Sequence, residues 1–72
     1  MSEIVDARGL SCPQPVLMTL ETIKAVDQGE IEVLVDTDTS KENVSRAAAA
    51  KGWRVRDVQP DGGGYKIILD KD

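Results

Sequence analysis

The 72-residue chain has no histidine, no phenylalanine and a single cysteine, and its aromatic content is limited to Trp53 and Tyr65. One thiol and no imidazole exclude an internal disulfide, a Cys/His zinc site, a Cys-His nucleophile pair and a CxxC redox centre. Any chemistry at Cys12 therefore needs a second molecule, and no metal or separate cofactor is expected. The near absence of aromatics leaves a 40% hydrophobic fraction made almost entirely of aliphatic side chains. In a chain this short they can build one small core, so we expect a single domain over 1–72 with no large buried active site. No run approaches the ~20 apolar residues that span a bilayer, and Met1-Ser2-Glu3 lacks the basic start of a signal peptide. The expectation is a cytoplasmic protein without a membrane partner.

Positive charge is also scarce. Nine Lys and Arg stand against thirteen Asp and Glu, for a net charge of −4, which argues against holding nucleic acid by phosphate neutralisation. The imbalance lies in residues 1–36, where Arg8 and Lys24 face seven acids, while residues 37–72 carry seven bases against six acids. Arg46, Lys51, Arg54 and Arg56 fall around a helix end and a strand, where a solvated charged surface is the ordinary outcome.

The patterning alternates between strand and helix. Ile4-Val5 begins a short strand ending near Asp6. From Pro13 to about Gln28, Val16, Leu17, Leu20, Ile23 and Val26 recur at helical steps, with Thr19, Glu21, Thr22 and Lys24 as the polar stripe and Gly29 as the stop. Glu30 to Asp36 alternates as a strand, with Ile31, Val33 and Val35 on one face and Leu34 suggesting partial cover of the other. Thr39-Ser40-Lys41-Glu42 has capping-box spacing for a helix to about Lys51, packed through Val44, Ala47 and Ala48, with Gly52 at the left-handed cap position. Trp53, Val55 and Val58, then Tyr65, Ile67, Ile68 and Leu69, flank Pro60-Asp61-Gly62-Gly63-Gly64 as a hairpin. The glycine run lacks the Lys-Ser/Thr and following helix of a phosphate loop. The order β-α-β-α-β-β predicts an α/β (α+β) two-layer sandwich, with two helices on one face of a mixed four-stranded sheet.

Chemistry concentrates in Arg8-Gly9-Leu10-Ser11-Cys12-Pro13-Gln14-Pro15, which sets the only thiol at a helix start. Pro13 is read as the first helical residue and Pro15 as a member of the first turn, where no intrahelical donor is required. A thiol there faces free backbone N–H groups and the positive end of the helix dipole, and both favour the thiolate. Arg8 would add positive charge, opposed by Asp6 and Glu3, and the expected direction is a lowered thiol pKa. A small buried cysteine at a helix cap is the bland alternative, as common as the reactive one on local physics. Met18, six residues on, fits core filling better than partner docking.

Asp6-Ala7-Arg8-Gly9-Leu10-Ser11-Cys12-Pro13-Gln14-Pro15 resembles the signature of the TusA (SirA-like) sulfur-carrier family, Gly-Leu-x-Cys-Pro-x-Pro at the start of the first helix. The resemblance extends over nearly the whole chain, including an acidic residue after the second strand, here Asp36 or Asp38. Val33-Leu34-Val35-Asp36 followed by Lys41-Glu42-Asn43-Val44-Ser45-Arg46 is similar to the amino-terminal domain of YedF-type proteins linked to selenium metabolism. The resemblance implies that Cys12 carries a sulfane sulfur as a covalent persulfide, without a further cofactor. It would be loaded by a protein donor, a cysteine desulfurase or rhodanese-like protein, and would deliver to a protein acceptor. Gly9, Leu10, Pro13 and Pro15 would support the motif, and Asp6 and Arg8 would modulate it. Such a protein is a sulfurtransferase-like carrier rather than a turnover enzyme. Two other classes fit the residues: a non-catalytic regulatory or interaction module whose Cys-Pro-x-Pro string only starts a helix, and a redox-sensing thiol protein.

Overall fold

A computed structural model describes residues 2–11 and 13–71. Six elements follow in the order β1 (Ser2–Asp6), α1 (Gln14–Val26), β2 (Gly29–Val35), α2 (Asp38–Ala50), β3 (Arg54–Asp61) and β4 (Gly64–Lys71). The strands form one sheet in the order β1-β2-β4-β3. β1 runs parallel to β2 with Val5 opposite Val33, and the β2–β4 and β4–β3 pairs are antiparallel. This is the expected mixed sheet with two helices, α1 contacting β1 and β2 while α2 contacts β3 and β4.

The alternation in β2 has the predicted consequence. Ile31, Val33 and Val35 are fully buried with Ile67 and Leu69 of β4 beneath Val44 and Ala48 of α2. Glu30, Glu32 and Leu34, on the opposite side of the pleat, are only half-buried. That open face is held by cross-strand ion pairs, Lys66 with Glu32 at 3.7 Å, Arg56 with Glu30 at 3.8 Å and Arg54 with Asp70 at 2.9 Å. β3 is an edge strand, and a bulge between Val55 and Asp57 shifts its pairing parity. Val55 and Val58, three apart, thereby oppose Leu69 and Ile67 on the same side. Trp53 is buried but precedes the strand. Asp61 pairs with Gly64, so the hairpin turn shrinks from the five expected residues to Gly62-Gly63, both at positive φ, as a two-residue turn of the I′ kind requires.

Helix boundaries depart from expectation in instructive ways. α1 ends at Val26, and φ turns positive first at Asp27 (φ 75, ψ −46) and again at the expected Gly29 (φ 116). The Gln28 N–H donates to the Val26 carbonyl at 2.8 Å, closing a γ-turn around Asp27, so the helix is stopped two residues early by a turn that few side chains tolerate. The buried line on α1 is Pro15, Thr19 and Ile23. Thr19, assigned to the polar stripe, is fully buried because its hydroxyl donates to the Pro15 carbonyl at 2.9 Å, which removes the cost of hiding it. Leu17, assigned to the apolar face, is 48% exposed. α2 starts at Asp38, capped by Thr37, and not at the predicted Thr39 box. At its other end the Trp53 N–H donates to the Ala48 carbonyl and the Gly52 N–H to that of Ala49, a Schellman closure with Gly52 at the expected left-handed position.

Candidate functional site

Because β1 and β2 are parallel, the chain leaves both at the same end of the sheet, and both helices begin there. The loop from Ala7 to Pro13 connects β1 to α1. The Ala7 N–H donates to the Leu34 carbonyl at 2.9 Å, extending the β1–β2 ladder by one residue, and the Ala7 side chain is fully buried. The chain then turns on Asp6. Its carboxylate accepts from the Arg8 backbone N–H at 3.2 Å and from Arg8 Nε and Nη2 at 2.9 Å each. This two-pronged contact holds the Asp6 carboxyl down to about 2, the Arg8 hydrogen bonds being the main cause. The same pairing raises the Arg8 guanidinium further, and the charges of Asp61 and Asp36 add to it. Asp6 and Arg8 thus engage each other, and the positive charge expected from Arg8 is offset at close range.

Gly9, at φ 78, bends the loop toward β2, and its N–H donates to Asp36 Oδ2 at 2.8 Å. The acidic residue after the second strand therefore fastens the approach loop. Leu10 is 38% exposed. The Ser11 carbonyl accepts from the Gln14 N–H at 2.9 Å, and the Pro13 carbonyl from the Leu17 N–H at 3.0 Å. Pro13 is the N-cap residue rather than the first helical one, because its ψ of 18 lies outside the helical well. Pro15 occupies the second helical position, where a missing N–H costs nothing, and it is buried. Cys12 itself lies outside the described residues; in the sequence it directly precedes Pro13, the cap residue of α1. Met18 is partly buried against the core, as the core-filling reading expects.

A second group at this end was not foreseen. The Tyr65 hydroxyl donates to Asp38 Oδ1, and Lys41 Nζ sits 4.5 Å from the Tyr65 ring centroid and 3.9 Å from the same carboxylate. The bond to Asp38 raises the Tyr65 hydroxyl pKa. The contact follows from Tyr65 pairing with Val35, a register that only the folded sheet reveals. Among the described residues no cluster of His, Cys, Asp and Glu could hold a metal ion, and no helix is long and apolar enough to cross a membrane.

Comparison with known proteins places this arrangement in a group. The sequence profile of the family described as Sulfurtransferase TusA matches residues 3–71. A candidate sulfur carrier protein of Archaeoglobus fulgidus is 30% identical over 69 residues, covering 94% of each chain. The candidate sulfur carrier protein YedF of Escherichia coli K12 is 35% identical over 68 residues, covering 93% of this chain and 88% of that one. The crystal structure of a SirA-like protein from Desulfitobacterium hafniense superposes with a TM-score of 0.86 at 28% identity, over 97% of this chain and 96% of that one.

Proposed function

This chain belongs to the Sulfurtransferase TusA family, and from that premise we propose that it is a sulfur carrier whose Cys12 accepts a sulfane sulfur as a persulfide and hands it to an acceptor protein. The observation that carries the reading is the construction of the α1 start. The chain's one thiol immediately precedes a cap residue, Pro13, that offers no side-chain acceptor, and the first turn holds no acidic side chain. A helix N-terminus left in this state favours an anion, and both a thiolate and a persulfide anion qualify.

The transfer balances without an external oxidant. The Cys12 thiolate attacks the outer sulfur of a donor persulfide, the donor's S–S bond breaks, and the donor leaves as thiolate while Cys12 holds S–SH. An acceptor nucleophile then takes the outer sulfur and Cys12 departs as thiolate. A lone cysteine has no internal partner to expel the sulfur as a disulfide, which suits a carrier. Donor and acceptor are both proteins in this reading, the donor a cysteine desulfurase or rhodanese-like protein, the compartment the cytoplasm, and no further cofactor is required. Asp6, Arg8 and Asp36 act as positioning residues, holding the Gly9 loop ahead of the thiol.

Incubation with a cysteine desulfurase and cysteine, followed by intact mass without reductant, tests this. A gain of one sulfur that dithiothreitol removes and that Cys12→Ser lacks is the expected result. No gain from that donor or from a rhodanese with thiosulfate would favour a regulatory module.

A further inference from the structure

The opposite end of the molecule, where α1 and α2 finish, holds a groove of about 450 Å³. Its apolar lining is Leu20, Ile23 and Trp53, and Lys24, Lys51 and Lys71 come to it from α1, the end of α2 and β4. We propose that this groove binds a small organic anion with an apolar body, a carboxylate or phosphate ester. Four observations support the assignment.

The chain as a whole is acidic, at −4, yet the groove's charged residues are three lysines against Asp27, a local excess of two positive charges. None of the three lysines is engaged in a salt bridge among the described residues, whereas the arginines Arg8, Arg54 and Arg56 each have a carboxylate. Lys24 in the last turn of α1 and Lys51 at the α2 C-cap complement the negative ends of their helices. Lys71 has no helix end of its own to serve, and it reaches back from β4 until its Nζ lies 4.0 Å from where a Cβ on Gly52 would stand. Finally, Trp53 is 3% exposed, and its Nε1 has no hydrogen-bond partner among the described residues. A buried indole N–H without an acceptor is uncommon, and this one belongs to a residue that lines the groove. The volume suits a small ligand, and an apolar floor with a few polar groups is the usual make-up of such sites.

The groove lies at the opposite end of the fold from the start of α1, so the proposal is tested in the Cys12→Ser protein. Hexanoate and hexyl phosphate serve as probes, with neutral hexanamide and inorganic phosphate as controls, and the readout is the NMR resonance of the single indole N–H. Saturable shifts at millimolar concentration are expected for the two amphipathic anions, with whichever binds tighter identifying the headgroup. Hexanamide and inorganic phosphate should each bind at least about fivefold more weakly, and K24Q/K71Q should weaken binding by about five- to tenfold. Asp27→Asn, which keeps a side chain tolerant of positive φ, should tighten it about twofold, and Lys66→Gln on the open sheet face should change nothing. A shift that stays linear to about 100 mM, hexanamide binding as tightly as hexanoate, or equal loss in Lys66→Gln would overturn the proposal.

Discussion

The two helices start at one end of the sheet, and they start differently. Thr37, in extended conformation, lends its hydroxyl to the Ser40 N–H at 3.1 Å, and Asp38 places a carboxylate in the first turn of α2. α1 has Pro13 at the cap, no side-chain acceptor and no acid in its first turn. The chain satisfies the positive end of α2 with its own groups, as a structural helix needs. Near the start of α1 the carboxylates are engaged by other groups, Asp6 by Arg8 and Asp36 by the Gly9 N–H. The helix whose start is left uncapped by a side chain is the one that the proposed function puts to use.

Ways to test this contrast range from removing its platform to nudging a single proton. Ile67→Ala, at a fully buried position of β4, should cost about 2 to 4 kcal/mol and undermine both starts together; an unchanged urea midpoint would contradict the core assignment. Thr37→Ala should cost about 1 kcal/mol by uncapping α2, with the alkylation rate of Cys12 unaltered. A parallel fall in that rate would mean the two starts are coupled. Gln14→Glu copies the α2 design into α1. It should stabilise the helix by about 0.3 to 1 kcal/mol and slow alkylation near neutral pH, opposite signs from one carboxylate that an urea melt and a rate-versus-pH curve can resolve. The smallest effect concerns Asp6. Its carboxyl should titrate at about 2 by NMR, and Arg8→Gln should return it toward 3.8. Since the folded value is the lower one, the Asp6–Arg8 contact contributes in full above the ordinary carboxylate range and fades as pH falls through about 2.

Strand faces and element order were legible in the sequence because alternation in β2 and the spacing in α2 reflect burial directly. The helix ends were less so. Thr39-Ser40-Lys41-Glu42 has the capping-box spacing that Thr37 lacks, yet Thr37, separated from β2 only by Asp36, is the residue that caps α2. Gly29 looked like the stop for α1, and it does adopt positive φ, but Asp27 does so two residues earlier and ends the helix there. Thr19 misled because a hydroxyl that bonds back to its own helix can be buried like a valine. Of the site, the Gly-Leu-Ser-Cys-Pro-Gln-Pro string was visible at once. The acid after the second strand and the Asp6 and Arg8 pair were named with it, but their bonds were not legible, since that from Gly9 to Asp36 joins residues 27 apart in the chain, and that from Tyr65 to Asp38 likewise.

That first bond makes a ring. From Gly9 the chain runs through the thiol, along α1, around the turn at Asp27 and back up β2 to Asp36, where a single hydrogen bond fastens the two ends together. The Gly9 amide is on an exposed residue, so it exchanges with solvent whenever that clasp lets go. One backbone proton thereby acts as a gauge of how often the loop between β1 and α1 parts from the sheet.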